Sequence, residues 1–251
     1  MNVVSQLNDE LLKQDFAAGK DQLYREELER CKNTALSYAR TENCVAVLSD
    51  MHSNTSYIYY GGFSGMLGLD AREERVDSIW EESILKHIHP DDLSEKYLQE
   101  LRFFHFIRHQ PRSKRADYYL IHALRMKNAA GDYFPALHRL FYLSALSKES
   151  VRLALCLYSP LLFEVPGQSV VVNSATGQLL TLGKRTDAQI LSAREKQVLQ
   201  LIDKGMTSKG IADLLSISIY TVSRHRQAIL EKLQVRNAIE ACRVAKSIGI
   251  I

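Results

Sequence analysis

Ser223, Arg224 and Gln227 are the side chains of this 251-residue chain whose types and spacing point most directly to chemistry. They lie three and four residues apart, so on a helix they share one face. A guanidinium at Arg224 can grip guanine O6 and N7 with two hydrogen bonds, and an amide at Gln227 can do the same at adenine N6 and N7. Ser223 adds a hydroxyl beside them. Thr207, Lys209, Ser218, Thr221, Arg226 and Lys232 surround this face. Their hydroxyls and cations, close to expected helix starts, suit phosphate oxygens. A basic helix face is more commonly a solvated surface, so the elements that carry these residues must decide between the two readings.

Those elements are well marked. Ser192 and Glu195 form an S-x-x-E capping box, and Asn237 with Glu240 repeats the device. Thr207 and Ser218 stand where two further N-caps are needed, and Gly205 where a left-handed C-terminal residue is wanted. The spacing predicts four helices, at about 192–204, 207–215, 219–233 and 237–248. Val198, Leu199 and Ile202 make one apolar stripe, Ile211, Leu214 and Leu215 a second, and Val222, Ile229 and Leu233 a third. Only Ser216-Ile217-Ser218 separate the second helix from the third, a connection short enough to force an angle between them. This is a helix-turn-helix, which places its second helix in a DNA major groove.

The same stretch resembles the LuxR/FixJ-type (GerE) family across essentially its whole length. The matching pieces are LSAREKQVLQLI, KGMTSKGIADLL, SIS followed by TV, the pair His225-Arg226, ILEKL and VRN. The resemblance implies a four-helix module whose third helix reads DNA and whose fourth helps to dimerise on a two-fold site. It also implies double-stranded DNA as partner, a homodimer as the acting form, and RNA polymerase as a further candidate partner. Four positions depart from the family. Gly210 stands where Glu is common, Ile219-Tyr220 where an acidic–basic pair is common, and Ser223 where Lys is common.

Charge is distributed as DNA binding requires. The chain holds 32 Lys/Arg and 29 Asp/Glu; residues 192–251 take ten and five of them, leaving 22 and 24 for the rest. The basic excess is thus confined to the last sixty residues. Cys31, Cys44, Cys156 and Cys242 are scattered, with no C-x-x-C or Cys/His zinc spacing, and read as reduced, packed thiols. No apolar run approaches the roughly 20 residues of a membrane span. Acids at Asp9, Glu10 and Asp15 interrupt any signal-peptide pattern. A cytoplasmic protein without membrane attachment is expected.

Residues 1–42 are helical in pattern. Leu7, Leu11 and Leu12 cluster, and Leu23, Tyr24, Leu28, Cys31 and Ala35 form a stripe. From Asn43 the texture changes. Strands are expected at CVAVLSD and SYIYYGG, a helical turn at Phe63–Leu69, a helix over Glu73–His87, and another from Asp91-Asp92 to about Gln110. Three more strands follow at Tyr118–Lys127, Tyr133–Ser144 and Val151–Tyr158; the first two are joined by the hairpin signal NAAGD. That order, with IHPDDL and the NAAGD hairpin, resembles the PAS family over about 43–160. The resemblance implies a curved five-stranded sheet with helices on one face and a space between them that often holds a small ligand.

Nothing in the sequence names such a ligand. No covalent-flavin motif is present, and His87, His89, His105 and His109 read better as surface or hydrogen-bonded histidines than as haem ligands. Trp80, Tyr57, Tyr59 and Phe63 read as core. No catalytic residue, metal site or cofactor is predicted, because no phosphate loop, nucleophile elbow or ligand cluster stands out. Pro160 to Asp187 forms a boundary with a small hairpin around Ser174–Gly177, followed by a polar linker over Gly183–Gln189.

The expected class is α+β: a PAS-like five-stranded antiparallel sheet with helices, then an all-α four-helix domain of LuxR type. The expected divisions are 1–42 (helical segment), 43–160 (PAS-like sensor or interaction domain), 161–189 (hairpin and linker) and 190–251 (DNA-binding domain). The expected function is one-component transcription regulation without enzymatic activity. The alternative is a PAS-based interaction scaffold with a weak or vestigial DNA module.

Overall fold

The computed structural model describes residues 3–16, 21–70, 72–143, 150–182, 191–233, 235, 237–247 and 251. The linker expected over Gly183–Gln189 lies outside them. The chain forms two compact units, Met1–Phe103 with Gln110–Leu180, and Thr181–Ile251 with Phe104–His109. Among the described residues no helix is long and apolar enough to cross a membrane.

The first unit is built on one antiparallel sheet. Its strands are β1 (Val45–Asp50), β2 (Thr55–Tyr60), β3 (Glu73–Val76), β4 (Tyr118–Lys127), β5 (Tyr133–Leu143), β6 (Leu153–Pro160), β7 (Ser169–Asn173) and β8 (Leu179–Leu180). They lie in the order β3-β2-β1-β6-β5-β4-β7-β8. The five expected strands are its five central members. Leucine and tyrosine are their commonest residues, and aromatic side chains such as tyrosine suit a pleated surface.

The sheet is larger than the sequence predicts, because pairing adds strands at both edges. Glu73–Val76 is not helical; it pairs with Ser56–Tyr59 as β3. Val76, Ile79, Trp80 and Ile84 mimic helical spacing, yet only Glu82–Leu85 forms a helical turn, α3. The side chains of β3 are largely exposed, so main-chain pairing with an open edge holds it, and hydrophobic pattern cannot reveal that. At the other edge β7 pairs with β4, and its hairpin with β8 turns at Gly177 (φ 73°). The hairpin foreseen around Ser174–Gly177 therefore extends the sheet.

Each face of the sheet carries a helix. Helix α2 (Asp21–Thr41) lays Leu28, Cys31, Ala35 and Ala39 on Ala46, Leu48, Tyr59, Leu153, Leu155 and Leu157. Leu23 is not part of that stripe; it is 44% exposed, one position round the helix from Tyr24, which packs on the cluster. On the opposite face lies α4 (Pro90–His109), whose Phe103 ring stacks on Tyr142 of β5 at 5.4 Å. A single turn, α5 (Arg112–Arg115), leads into β4. Helix α1 (Val3–Leu12) buries Leu7 and Leu11, and the Trp80 indole N–H donates to Asn8 at 2.8 Å. The Gln14 amide closes this corner by exchanging hydrogen bonds with the Val151 backbone at 2.8 and 2.9 Å.

Asp92 at the start of α4 does more than complement the helix dipole. It accepts from the Arg125 backbone N–H at 2.7 Å and from the guanidinium at 2.6 and 3.0 Å. The Arg125 hydrogen bond holds its carboxyl below the ordinary range despite burial. A depressed carboxyl contributes stability above its unfolded value, and this is lost as pH falls through the folded one.

Gly61 ends β2 where backbone crowds from two sides. A Cβ there would lie 2.2 Å from the Ala39 carbonyl oxygen and 2.5 Å from that of Cys44. Neither neighbour is a flexible side chain, so the C-terminus of α2 would have to move off the sheet. Gly61→Ala is expected to destabilise the first unit by about 3 kcal/mol, readable in urea unfolding of the purified chain. An unchanged midpoint would show that the close approach is not required.

Candidate nucleic-acid interface

The second unit holds α6 (Ala193–Asp203), α7 (Ser208–Leu215), α8 (Ile219–Leu233) and α9 (Ala238–Ser247). These are the four helices that caps and periodicity predict, within a residue or so at each end. Each start has a side-chain cap. Ser192 and Glu195 make the reciprocal box, at 3.3 and 2.6 Å. Thr207 Oγ1 accepts from Gly210 N at 3.2 Å, Ser218 Oγ from Thr221 N at 3.0 Å, and Asn237 Oδ1 from Glu240 N at 2.9 Å.

The helix ends are fixed as well. Gly205 takes a φ of 80°, its N–H bonds Ile202 O, and Met206 N–H bonds Leu201 O. That is a Schellman ending. The same pattern closes α7: Ser216 N–H reaches Asp213 O, and Ile217 N–H reaches Ala212 O. Here the left-handed residue is Ser216, at φ 53°. An L-residue pays roughly 1–2 kcal/mol for that conformation, which glycine avoids at some entropic cost. Ser216→Gly should raise stability by about 0.5–1 kcal/mol without altering the turn. A fall in thermal midpoint would show that the serine side chain has a role there.

The corner is buttressed from a third element. Arg194 of α6 donates from Nη2 to the Leu215 carbonyl at 2.9 Å and from Nη1 to Gln197 at 2.7 Å. The core of the unit is Leu191, Val198, Leu199, Ile211, Ala212, Val222, Ile229, Leu233, Ala241, Val244 and Ala245, all buried. Cys242 is buried with them, and burial pushes its thiol up. Lys246 binds Asp203 at 2.7 Å and so ties α9 to α6.

Leu214 is not in this core. It is 60% exposed, because the inward face of α7 centres on Ile211, Ala212 and Leu215 and leaves position 214 to one side.

On α8 the two faces separate as their spacing requires. Val222, Ile229 and Leu233 are buried, whereas Ser223, Arg224 and Gln227 are exposed together. Arg226 and Thr221 are half-buried on the flanks. Thr207, Lys209 and Ser218 are exposed at the starts of α7 and α8, and Lys232 lies in the last turn of α8. The hydroxyls of Ser218 and Thr221 also meet each other at 2.9 Å. The structure thus brings the candidate base-reading side chains onto one open strip beside two capped helix starts.

Residues 189–245 match the model for bacterial regulatory proteins of the luxR family. This stretch is a LuxR-family DNA-binding domain. Among its relatives, the uncharacterized response regulatory protein YgeK of Escherichia coli is 43% identical over 60 residues, which are 24% of this chain and 41% of that protein. The transcriptional regulatory protein DesR of Bacillus subtilis is 45% identical over 64 residues, 26% of this chain and 32% of that one. The chain therefore spans less than half the length of these two relatives. A phage VqmA–DPO complex superposes at a TM-score of 0.33 and 16% identity, covering 90% of this chain and 91% of that one. That likeness is too slight to bear on the front unit.

Within the LuxR-type domain, the positions that depart from the family's common residues now have a place. Gly210 lies in the first turn of α7, which Thr207 caps without an acid. Ile219 and Tyr220 are exposed at the start of α8, Tyr220 by 75%. Leu214 is exposed as well, and a reading of charge and hydrogen-bond donors passes over all three apolar side chains. Arg194 is the other residue that the sequence reading misses, since nothing local marks a guanidinium as a cap for a helix twenty residues away.

Proposed function

We propose that this chain is a sequence-specific, double-strand DNA-binding transcription regulator that acts as a homodimer. The observation that carries the reading is the exposed strip Ser223, Arg224 and Gln227 on α8, opposite the buried Val222, Ile229 and Leu233. Arg224 grips a guanine, Gln227 an adenine, and Ser223 a base edge between them. Thr207, Lys209, Ser218, Thr221, Arg226 and Lys232 bind phosphates and fix the register. Tyr220 and Ile219 add apolar contacts to thymine methyls or sugars. The likeness to transcriptional regulators such as DesR supports this class of function.

Dimerisation through α9 fits Ile239, an 83% exposed isoleucine on that helix. The working divisions are 1–42, 43–160, 161–189 and 190–251, with the PAS-like front domain controlling the DNA module through a bound ligand or partner. Control requires that the effector bind one arrangement of the dimer better than another. RNA polymerase is the further protein partner that an activator of this kind would meet.

Selection of genomic fragments by the purified full-length chain tests this reading. An enriched motif with two-fold symmetry is the expected result. Recovery of fragments with no common motif would favour the scaffold alternative, which the departures at Gly210, Ser223 and Ile219 keep in view.

A further inference from the structure

The inner face of the sheet holds a group of buried polar residues that DNA binding does not use. Glu81, Lys96, Glu100, His138, Cys156 and Tyr158 are all less than one-tenth exposed. Lys96 Nζ lies 2.8 Å from Glu100 Oε1, and the Tyr158 hydroxyl donates to Glu81 at 2.7 Å. His138 Nε2 lies 3.8 Å from Glu100 Oε1, yet among the described residues neither ring nitrogen has a hydrogen-bond partner. A buried imidazole without a partner is costly unless something absent from the chain itself completes it.

Charge points the same way. Two carboxylates face one ammonium, so the group carries one uncompensated negative charge when both acids are ionised. A neutral imidazole is the form that binds metals. One ligand atom from each of Glu100, His138 and Cys156 lies within 4.8 Å of the others. Bond lengths of about 2.0–2.3 Å to oxygen, nitrogen and sulfur would need these atoms roughly 3.3–3.8 Å apart, a contraction of about an ångström. A cavity of about 30 Å³ borders Glu81, Lys96, Glu100 and Cys156, enough for a water-sized body and too small for an organic ligand.

We infer that Glu100, His138 and Cys156 bind a divalent transition-metal cation of the zinc class, with a water as fourth ligand. The mixed oxygen, nitrogen and sulfur set favours zinc or its neighbours over magnesium or calcium. On binding, the Cys156 S–H bond breaks, its proton leaves to solvent, and the thiolate sulfur bonds the metal. With that thiolate and two carboxylates against Lys96 and a divalent ion, the buried group becomes neutral. Lys96 then serves to hold Glu100 in place from outside the metal's own ligands. The site is independent of the DNA reading.

Cobalt titration of the purified full-length chain tests the inference. One Co²⁺ per chain should give a thiolate-to-cobalt charge-transfer band that Zn²⁺ abolishes by displacement. Cys156→Ser should lose the band and Cys242→Ser should keep it. His138→Gln should weaken cobalt binding by about tenfold or more, and it decides the matter if Cys156→Ser does not fold. No charge-transfer band in the wild-type chain, a band that survives Cys156→Ser, or unchanged affinity in His138→Gln would each overturn the site.

Discussion

Lys96→Met should cost the first unit about 3–5 kcal/mol near neutral pH, the penalty for leaving a buried charge without its partner. Lys96 is 2% exposed and faces Glu100 at 2.8 Å, with Glu81 close enough to hold it charged. Methionine matches the aliphatic stem, so the loss would come from the two carboxylates rather than from a cavity. The pH dependence has a definite sign. Burial raises the Glu100 carboxyl above its ordinary value of 4.5 even with Lys96 present. Without the ammonium that rise grows. A group raised in the folded state stabilises at low pH and ceases to do so as pH climbs through its folded value. The variant should therefore recover stability on acidification from about pH 7 toward pH 5. In the wild-type chain the contribution of Lys96, raised in the folded state, is complete below the ordinary lysine value of 10.5 and is lost only at higher pH. Urea unfolding at the two pH values checks this, and Lys96→Met with Glu100→Gln should regain most of the loss. A single variant as stable as wild type near neutral pH would show that Glu100 is not left as an unpaired buried charge.

The second large effect lies on α8 and separates reading from gripping. Arg224→Ala should cost about 1–3 kcal/mol on the selected site and relax preference at one base position. Arg226→Ala should weaken binding to all duplexes alike and reduce the slope of log affinity against log salt by about one. Arg224 is exposed beside Gln227, whereas Arg226 is half-buried on the flank of the helix, and this difference in placement motivates the different outcomes. Competition binding against a set of singly substituted duplexes reads both. If the two variants behave alike, the orientation assigned to α8 is wrong.

What the sequence made legible was local. A cap such as Ser192, Thr207, Ser218 or Asn237 bonds a backbone N–H three residues away, so its logic is contained in four residues. The five central strands announce themselves by composition, and the α8 faces by period. What stayed hidden depends on partners distant in the chain. β3 exists because β2 has an open edge. Leu23 and Leu214 satisfy helical spacing, but the direction from which a neighbour packs sets which side of a stripe is buried. Ser216 takes a left-handed backbone that only the geometry of the corner demands.

The buried polar group was the least legible part. Lys96 and Glu100 stand four apart on a helix, the spacing of an ordinary solvated pair, and here both are buried. His138 sits opposite His122 and Tyr158 only through strand register, and no sequence motif joins it to Cys156. Two of the histidines on or before α4 bond backbone carbonyls instead. His87 Nδ1–H meets the Lys127 carbonyl at 3.0 Å, and His109 Nδ1–H meets that of His105 at 2.6 Å.

Affinity ratios decide whether α8 reads sequence. Binding of the full-length chain would be titrated on a selected duplex and on a scrambled one, each at two salt concentrations. The selected duplex should be preferred by at least about a thousandfold, with both affinities falling as salt rises. Equal affinity for the two duplexes, however strong and however salt-sensitive, would contradict it.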